Sequence, residues 1–216
     1  MKNKKKNKKR KLNPRKTIVL IVIIISLIIS GIIVYSYLHR EEKENKAQTT
    51  KVTNSIEGYD YSLTSLDTKY YKELFEKLKK TLESDTRDDE LYASLVSQLF
   101  ATDFYTLNNK IGSSDIGGLD FVVESARDNF ALKAKDTMYK TVTSNLYGDR
   151  KQELPEVTKV SVDSITKTSF TYNDKTDEEA YNVKVSITYD KDLGYPTSVK
   201  LILVHNEKLI EVAKVN

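Results

Sequence analysis

One apolar run dominates the pattern of hydrophobic and polar positions along this chain. Residues 17–38, TIVLIVIIISLIISGIIVYSYL, contain no charged side chain. At about 1.5 Å rise per residue, a helix of that length reaches roughly 33 Å, enough for the roughly 30 Å hydrocarbon core of a bilayer. Tyr35 and Tyr37 fall at one end, where amphipathic rings favour the headgroup region. The run predicts a transmembrane helix over residues 17–38.

The charges around this run predict its orientation. Residues 1–16 hold ten Lys or Arg and no acid, and the rest of the chain has 25 basic against 31 acidic residues. Because a basic flank is retained in the cytoplasm, we expect residues 1–16 to be a cytoplasmic tail and residues 39–216 to lie outside the plasma membrane. A cleaved signal peptide is the alternative, but its apolar region is shorter and ends in a small-residue cleavage site. The pattern favours an uncleaved, single-pass signal-anchor.

The polar segment 39–55 has no periodicity and predicts a linker to an extracellular domain over residues 56–216. In the first half of that domain, apolar residues recur at spacings of three and four, which is typical of helices. Three helices are predicted, from Asp67 to about Ser84, from Asp88 or Asp89 to about Asn109, and from Asp120 to about Thr143. Their apolar stripes are Tyr71, Leu74, Phe75, Leu78 and Leu82; Leu91, Leu95, Leu99 and Phe100; and Val122, Ala126, Phe130, Ala134 and Met138.

After Pro155 the pattern changes to alternation, which is typical of half-buried strands. Strands are predicted over residues 157–163, 164–172, 181–189, 199–204 and 209–215, with turns at 173–179, 190–196 and 205–208. Helices followed by consecutive hairpins predict an α+β fold, in which helices pack on one face of a curved, cone-like antiparallel sheet.

Few residues suggest chemistry. The two histidines are His39, at the membrane exit, and His205, in a predicted solvated turn, and neither has the partners of a metal site. No G-x-S-x-G elbow is present. The segment IGSSDIGG, residues 111–118, contains three glycines but fits neither the phosphate-loop nor the dinucleotide pattern, so it predicts a connection between helices.

Two enrichments leave alternatives open. Acidic groups at residues 88–90, 177–179 and 190–192 fall at helix starts and turns, where carboxylates are solvated; the alternative is the carboxylate pair of a wall-active glycosidase. The fourteen tyrosines either line a groove for protein or glycan, or replace the absent tryptophan at the edge of the core. We predict no catalytic, cofactor-binding or metal-ligating residue, and no cofactor.

The architecture resembles a known class of envelope proteins. A short cytoplasmic tail, one membrane helix, a linker, helices and a four-stranded sheet are similar to the bitopic subunits of type IV secretion and conjugation machines, whose outer domains adopt the nuclear-transport-factor-like cone fold. Residues 95–142 also resemble a recurrent segment of uncharacterised single-pass proteins from Gram-positive bacteria. The resemblance implies a non-enzymatic interaction or scaffold subunit of a cell-envelope complex, in a conjugation or secretion apparatus.

The partners expected from this interpretation are the membrane, other envelope proteins and further copies of the chain as a homo-oligomer. The basic tail has no aromatic residue on which a base could stack, so we expect no nucleic acid. The alternative function is an extracellular ligand-binding or wall-active domain that uses a cone-shaped pocket.

Overall fold

The computed structural model describes two stretches of the chain, residues 23–35 and 50–216. Residues 23–35 form a helix, α1, whose side chains are exposed. Within these two stretches, no helix has both the length and the apolar character that crossing a membrane requires. The predicted transmembrane helix extends past α1 at both ends, into residues 17–22 and 36–38, which lie outside the described residues together with the predicted tail, 1–16, and residues 39–49 of the predicted linker.

The chain divides into two units, Met1–Ala47 and Gln48–Asn216. In the second unit two short strands precede the helices and four longer strands follow them, which confirms the predicted α+β class with helices packed on a sheet. The elements are β1 (Val52–Ser55), β2 (Ser62–Thr64), α2 (Lys69–Leu82), α3 (Asp89–Tyr105), a 3-10 turn (Leu119–Phe121), α4 (Glu124–Asp136), β3 (Val157–Tyr172), β4 (Lys175–Tyr189), β5 (Ser198–Asn206) and β6 (Leu209–Val215).

Strand β1 lies in the segment that the sequence predicts as linker. It pairs antiparallel with β2, and Asn54 stands opposite Leu63. Most side chains of β1 are exposed, so the strand has no alternating pattern by which the sequence would reveal it. β1 is held in place by its pairing with β2 rather than by burial of its own side chains. The second unit, Gln48–Asn216, is called the folded unit below, and its first strand lies before residue 56.

Helix α2 forms where the apolar stripe predicts it, but it begins one residue later than expected. Thr68 is the N-cap, and its hydroxyl accepts a hydrogen bond from the N–H of Tyr71 at 3.2 Å. Asp67, the predicted cap, instead accepts from the N–H of Thr64 at 2.6 Å and closes the preceding turn. The stripe of α2 is buried at Tyr71, Leu74, Phe75 and Leu78, and Leu82 is partly buried.

Helix α3 is the central helix of the unit. Of the two predicted caps, Asp88 and Asp89, the structure selects Asp88, which accepts from the N–H groups of Glu90 and Leu91 at 3.0 Å. The helix ends at Tyr105 rather than near Asn109, and Leu91, expected in the buried stripe, is 47% exposed. Beyond that first turn α3 is buried on most sides, including Ser97 and Thr102, because α2 and the sheet both pack against it.

The third predicted helix is divided into two parts. Residues 119–121 form the 3-10 turn, Val122 is extended and bridges to Val212 of β6, and α4 begins only at Glu124. Of the predicted stripe within α4, Ala134 is buried and Phe130 is half-buried, while Met138 lies beyond the helix end. The expected continuous helix from Asp120 to Thr143 is therefore wrong, because pairing with β6 takes up the backbone at Val122.

The four long strands form one sheet in the order β3-β4-β5-β6, each antiparallel to the next. Residues 157–163 and 164–172 join into a single strand, with a bulge between Val162 and Ser164. The β3–β4 turn is only Asn173 and Asp174, both at positive φ, as a two-residue type I′ hairpin requires. The predicted turn at residues 173–179 is therefore shorter than expected. The predicted turn at 205–208 is shorter as well, because β5 continues to Asn206 and β6 begins at Leu209.

Side chains are buried on both faces of this sheet. The main core lies between the helices and one face and includes Leu203. A smaller cluster of Val123, Ala180 and Val204 packs with the partly buried Phe170 and other side chains. Since successive strand residues point to opposite faces, Val204 and its cluster lie on the face opposite the main core.

Candidate functional site at the outer edge of strand β3

The structure places His205 in strand β5 rather than in a solvated turn. Its ring Nδ1 lies 2.9 Å from a carboxylate oxygen of Asp177, and its backbone N–H donates to the same oxygen at 2.7 Å. The Tyr172 hydroxyl donates to the His205 carbonyl at 3.0 Å. These bonds tie the end of the β3–β4 hairpin to β5, so the histidine has a structural role that the sequence did not indicate.

The same contacts set the ionisation of Asp177. Partial burial raises the pKa of this carboxyl, but the hydrogen bonds from the backbone and ring of His205 outweigh burial and leave its pKa below the ordinary value. Tyr172 and the N–H of Glu179 also hydrogen-bond to this pair, and the His205 ring lies 5.6 Å from the Tyr181 ring. These contacts fasten the start of β4 to the end of β5.

The glycine-rich segment, residues 111–118, wraps around the end of α3. Asp103 accepts a hydrogen bond from the N–H of Gly118 at 2.6 Å and forms an ion pair with the buried Lys110. The Tyr139 hydroxyl accepts from the N–H of Gly117 at 3.0 Å and donates to the carbonyl of Phe104 at 2.7 Å. The segment is therefore a connection held by internal bonds, as the sequence predicts.

Two depressions flank this connection. A polar cleft of about 100 Å³ is lined by Asp67, Asp103, Asp115 and Lys110, among others, and burial raises the pKa of Asp67 although a hydrogen bond from Thr64 opposes this effect. Ligand pockets of roughly 300–1,000 Å³ are typical, so this cleft is too small for a wall fragment. A second depression, of about 480 Å³, is lined by Ser113, Ser114, Ser144, Ile111, Leu146 and neighbouring residues.

The acidic groups that the sequence singled out mostly serve turns and ion pairs. Asp89 pairs with Arg87 at 2.6 Å, Glu179 pairs with Lys167, Asp190 accepts from the N–H of Glu156 at 2.9 Å, and Asp192 accepts from the N–H of Gly194 at 3.1 Å. Across residues 23–35 and 50–216, no group of three or more His, Asp or Glu side chains is arranged to hold a metal ion.

A further carboxylate, Glu211 of β6, is buried and was not indicated by the sequence. It is 2% exposed, and burial raises its pKa against the effects of its two partners. Asn206 donates to one oxygen at 2.8 Å, and the Arg127 guanidinium lies 3.5 Å from the other. Arg127 belongs to α4 and also donates to the Val122 carbonyl at 2.8 Å, so the network fastens α4 to the sheet.

Most tyrosines of residues 50–216 are buried in the core or half-buried against it rather than lining an open groove. Tyr61 and Tyr92 are buried with their hydroxyls 2.8 Å apart, and the Tyr61 ring stacks on Phe121 at 5.1 Å. The tyrosines considered for a binding groove are all buried or half-buried: Tyr59, Tyr61, Tyr70, Tyr71, Tyr105, Tyr172, Tyr181 and Tyr189. Of the two interpretations, the structure favours the one in which tyrosine completes the core.

Strand β3 presents an edge of the sheet, and its first part is covered. The Tyr70 hydroxyl of α2 donates to the Val160 carbonyl at 3.1 Å and accepts from the Val160 N–H at 2.9 Å. The N–H of Val157 donates to the Thr106 hydroxyl at 3.1 Å. Both outward-facing backbone groups of Val160 are thus satisfied by a side chain, and no peptide could pair there without displacing Tyr70.

The rest of β3, residues 162–171, is the open edge. Among residues 50–216, no strand pairs with its outer side. Asp163, Ser164, Thr166, Lys167, Ser169 and Thr171 are exposed, and Ile165 is half-buried. An uncovered edge presents unpaired N–H and C=O groups on which another strand can form. The open edge is the candidate functional site, an interaction surface built from backbone groups.

The backbone pattern shows which groups face this edge. In antiparallel sheets, successive residues direct their N–H and C=O groups alternately to the two sides. On β4, Ile187 donates toward β5, and Val183 and Tyr181 follow the same alternation. Ile165 and Lys167 stand opposite these two residues, so their N–H and C=O groups point outward, away from β4.

Comparison of the chain with protein-family models, with curated proteins and with solved structures gives no match. The functional interpretation therefore depends on the chain's own residues. The sequence did not indicate the open edge. Residues 162–171 are rich in Ser and Thr and contain no proline, and this composition is equally typical of a strand face that is exposed to solvent.

Proposed function

We propose that this protein is a non-enzymatic, membrane-anchored interaction subunit of a cell-envelope complex. In this proposal residues 1–16 are cytoplasmic, residues 17–38 span the plasma membrane once, and the folded unit is extracellular. The apolar run and the basic residues before it support the topology. The conjugation or secretion setting is supported by the resemblance of the architecture to bitopic subunits of those machines.

The observation that carries the interaction role is the open edge of β3. Strand addition to an exposed sheet edge is a recurrent way in which proteins bind extended segments, because main-chain hydrogen bonds supply affinity and alternate side chains supply specificity. The non-enzymatic part is supported by the contacts of His205, Asp177, Asp103 and Lys110, each of which holds two segments of the chain together.

The topology is tested by adding protease to intact, wall-stripped cells. We expect the enzyme to digest the chain beyond about residue 40, because the tail before the apolar run carries the ten basic residues. Detergent-lysed cells provide the control for protease activity. Protection of the folded unit in intact cells, with digestion after lysis, would contradict the extracellular placement.

The interaction role is tested with Lys167→Pro, which removes an outward N–H without removing a bond to β4. The matched control is Lys167→Ala, which removes the same side chain and its ion pair with Glu179 but keeps the N–H. We expect co-purification of envelope partners from detergent extracts to be lost in the proline variant alone. His205→Ala is expected to leave co-purification unchanged, and loss of function in it with normal assembly would favour an enzyme.

The alternative function, an extracellular ligand-binding or wall-active domain, is favoured by the 480 Å³ depression beside residues 111–115. Its volume lies in the range of ligand pockets, and it offers serine hydroxyls beside Leu146. Titration of the protein with soluble wall fragments tests this function. Saturable binding that Leu146→Asp abolishes would support it, and absence of saturation would leave the interaction role as the better proposal.

A further inference from the structure

We propose that the folded unit docks on anionic phospholipid headgroups through the face of the four-stranded sheet that lies opposite the main core. The uncovered part of this face carries four exposed lysines, one from each strand: Lys159, Lys184, Lys200 and Lys214. These lysines and the polar residues around them are called the basic face. The inference rests on the proposed membrane anchor and names a second contact with the bilayer, which the anchor does not supply.

The register of the strands places the four lysines on one face. Lys184 and Lys200 stand directly opposite each other on β4 and β5. The residues before and after each of them belong to the main core, and successive strand residues point to opposite faces, so both lysines point away from that core. Lys159 on β3 and Lys214 on β6 are paired with residues of β4 and β5 that alternate with core residues in the same way.

The basic face is broad and open to solvent. At the other end of the same sheet face, Val123 and Ala126 pack with Ala180 and Val204 and cover the strands. Neighbouring strands lie about 4.8 Å apart, so lysines on four strands spread over a width of roughly 14 Å, which fits many headgroups better than one small anion. Apart from Asp163, the exposed strand residues around the lysines are uncharged and polar, and they include Ser164, Thr166, Asn182, Thr188 and Ser198.

The positive charge of this face is largely unbalanced. The Asp163 carboxylate lies 3.7 Å from Lys184 Nζ. No carboxylate of residues 50–216 lies within ion-pair distance of Lys159, Lys200 or Lys214. Like charges directly opposite each other destabilise a sheet, so the pairing of Lys184 with Lys200 costs stability while the face is free. An anionic surface would relieve this repulsion.

The short linker favours a bilayer over a soluble polyanion. In the proposed topology nine residues, 39–47, join the membrane helix to the folded unit, and even a fully extended chain of that length spans at most about 32 Å. Lipid headgroups therefore stay within reach of the basic face, so docking is intramolecular and needs little intrinsic affinity. A basic residue near an anionic leaflet raises the binding constant only about fivefold. A few such residues bind a free ligand weakly but are sufficient for a surface to which the unit is already linked.

The first experiment measures docking of the full chain in reconstituted vesicles. The chain contains no cysteine, so Ser198→Cys supplies one thiol on the basic face for a fluorescent label. Ser84→Cys, exposed beyond the end of α2 in the helix layer, is the matched control. Vesicles of phosphatidylcholine are compared with vesicles that also contain phosphatidylglycerol, each with a headgroup spin-labelled lipid as a short-range quencher. We expect quenching at position 198 in the anionic vesicles alone, its loss at high salt because exposed charges are then screened, and little quenching at position 84 in either.

The second experiment tests whether the lysines cause the docking. Lys184→Gln with Lys200→Gln removes two charges from the basic face, and Lys77→Gln with Lys80→Gln removes two from the exposed surface of α2. Both double variants are made in the Ser198→Cys chain, and resistance to limited proteolysis confirms that each is folded. We expect the ratio of docked to free unit to fall by about fivefold per lysine in the first variant and to stay unchanged in the second.

Equal quenching at position 198 in neutral and anionic vesicles would overturn the inference, and so would an equal effect of the two double variants. If soluble polyphosphate binds the detergent-solubilised chain, is lost in the Lys184/Lys200 variant, and vesicle quenching is equal, the face binds a free polyanion and membrane docking is wrong.

The proposed anchor and the docking can fail separately. If the chain stays in the vesicles after alkaline washing but position 198 is not quenched, the docking is wrong and the proposed anchor stands. If alkaline washing releases the chain from neutral vesicles while anionic vesicles still quench position 198, the anchor is wrong and the docking stands.

Discussion

Gly117 shows how tightly a single position of the connecting segment is packed. A Cβ atom at this position would lie 2.7 Å from the carbonyl carbon of Asp103, closer still to the oxygen, and 2.8 Å from the Lys110 ammonium. Because the first contact is with helix backbone, a small side chain cannot be accommodated by a rotamer change. We expect Gly117→Ala to lower the free energy of unfolding by about 1–3 kcal/mol, as overpacked substitutions do.

Denaturant unfolding of the folded unit measures this effect, with Gly112→Ala as the matched control in the same segment. A Cβ atom on Gly112 would meet its nearest atom at 3.9 Å, an ordinary contact distance. Equal stability of the two variants would show that the segment does not approach α3 as closely as described.

Asp177 gives the stability a defined dependence on pH. Because hydrogen bonds from His205 lower the pKa of this carboxyl in the folded state, its ionised form stabilises the fold above the ordinary pKa of about 3.9. That contribution is lost as the pH falls through the lowered value. We expect Asp177→Asn to be less stable than the wild type at pH 7, with the difference shrinking towards pH 2.

Urea unfolding across this pH range tests the expectation. Asp174→Asn, at the exposed β3–β4 turn three residues before Asp177, is the matched control. A stability difference between Asp177→Asn and wild type that is the same at every pH would contradict the ionic origin of the tether.

Among the elements, α4 packs less deeply than its apolar spacing predicts. The Phe130 ring lies 5.8 Å from Phe100 and 5.1 Å from Phe104, but one side of it lines a groove of about 190 Å³ with Lys133 and Val215. Phe100 on α3 is fully buried. We expect Phe100→Ala to cost about 3–5 kcal/mol and Phe130→Ala roughly half of that, because a half-exposed ring loses less burial.

Thermal or denaturant unfolding of the two variants in parallel provides the comparison. A cost for Phe130→Ala that matches that of Phe100→Ala would mean that α4 is a full core helix, as the spacing of its stripe alone suggests.

The covered part of β3 depends on one hydroxyl group from α2. Removing it in Tyr70→Phe leaves the N–H and the C=O of Val160 without their partner. An unsatisfied buried polar group costs about 1–3 kcal/mol, so we expect a loss of that size in unfolding free energy. The control is Tyr147→Phe, at an exposed tyrosine, and a similar loss in both would contradict the capping role.

For the folded unit as a whole, the first strand sets the point at which the chain can be shortened. β1 pairs with β2, and the Ser65 N–H also donates to the Lys51 carbonyl at 2.8 Å. We expect a chain that begins at Gln48 to melt at a higher temperature than one that begins at Ile56, since the shorter chain leaves the outer side of β2 unpaired. Both chains are expected to fold, because most of the buried side chains lie beyond Ile56. Equal melting temperatures would show that β1 adds no stability.

Much of this architecture follows from the sequence alone. The stripe of α2, the Asp88 cap of α3 and the antiparallel order of the strands after Pro155 are encoded by spacings of three, four and two residues, which are local properties of the chain. The same local reasoning failed at Val122, where pairing with Val212 replaced the helix. It also failed at β1, because the side chains of this strand do not alternate between buried and exposed positions.

The candidate site belongs to the part that only the tertiary structure decided. Whether a strand is an edge depends on its place in the sheet, and whether that edge is open depends on a tyrosine 90 residues away, Tyr70, covering Val160 and not Ile165. The pairing of His205 with Asp177 likewise joins residues 28 positions apart. Periodicity along the chain determines which face of each element is apolar, but contacts between distant segments arise only when those faces pack together.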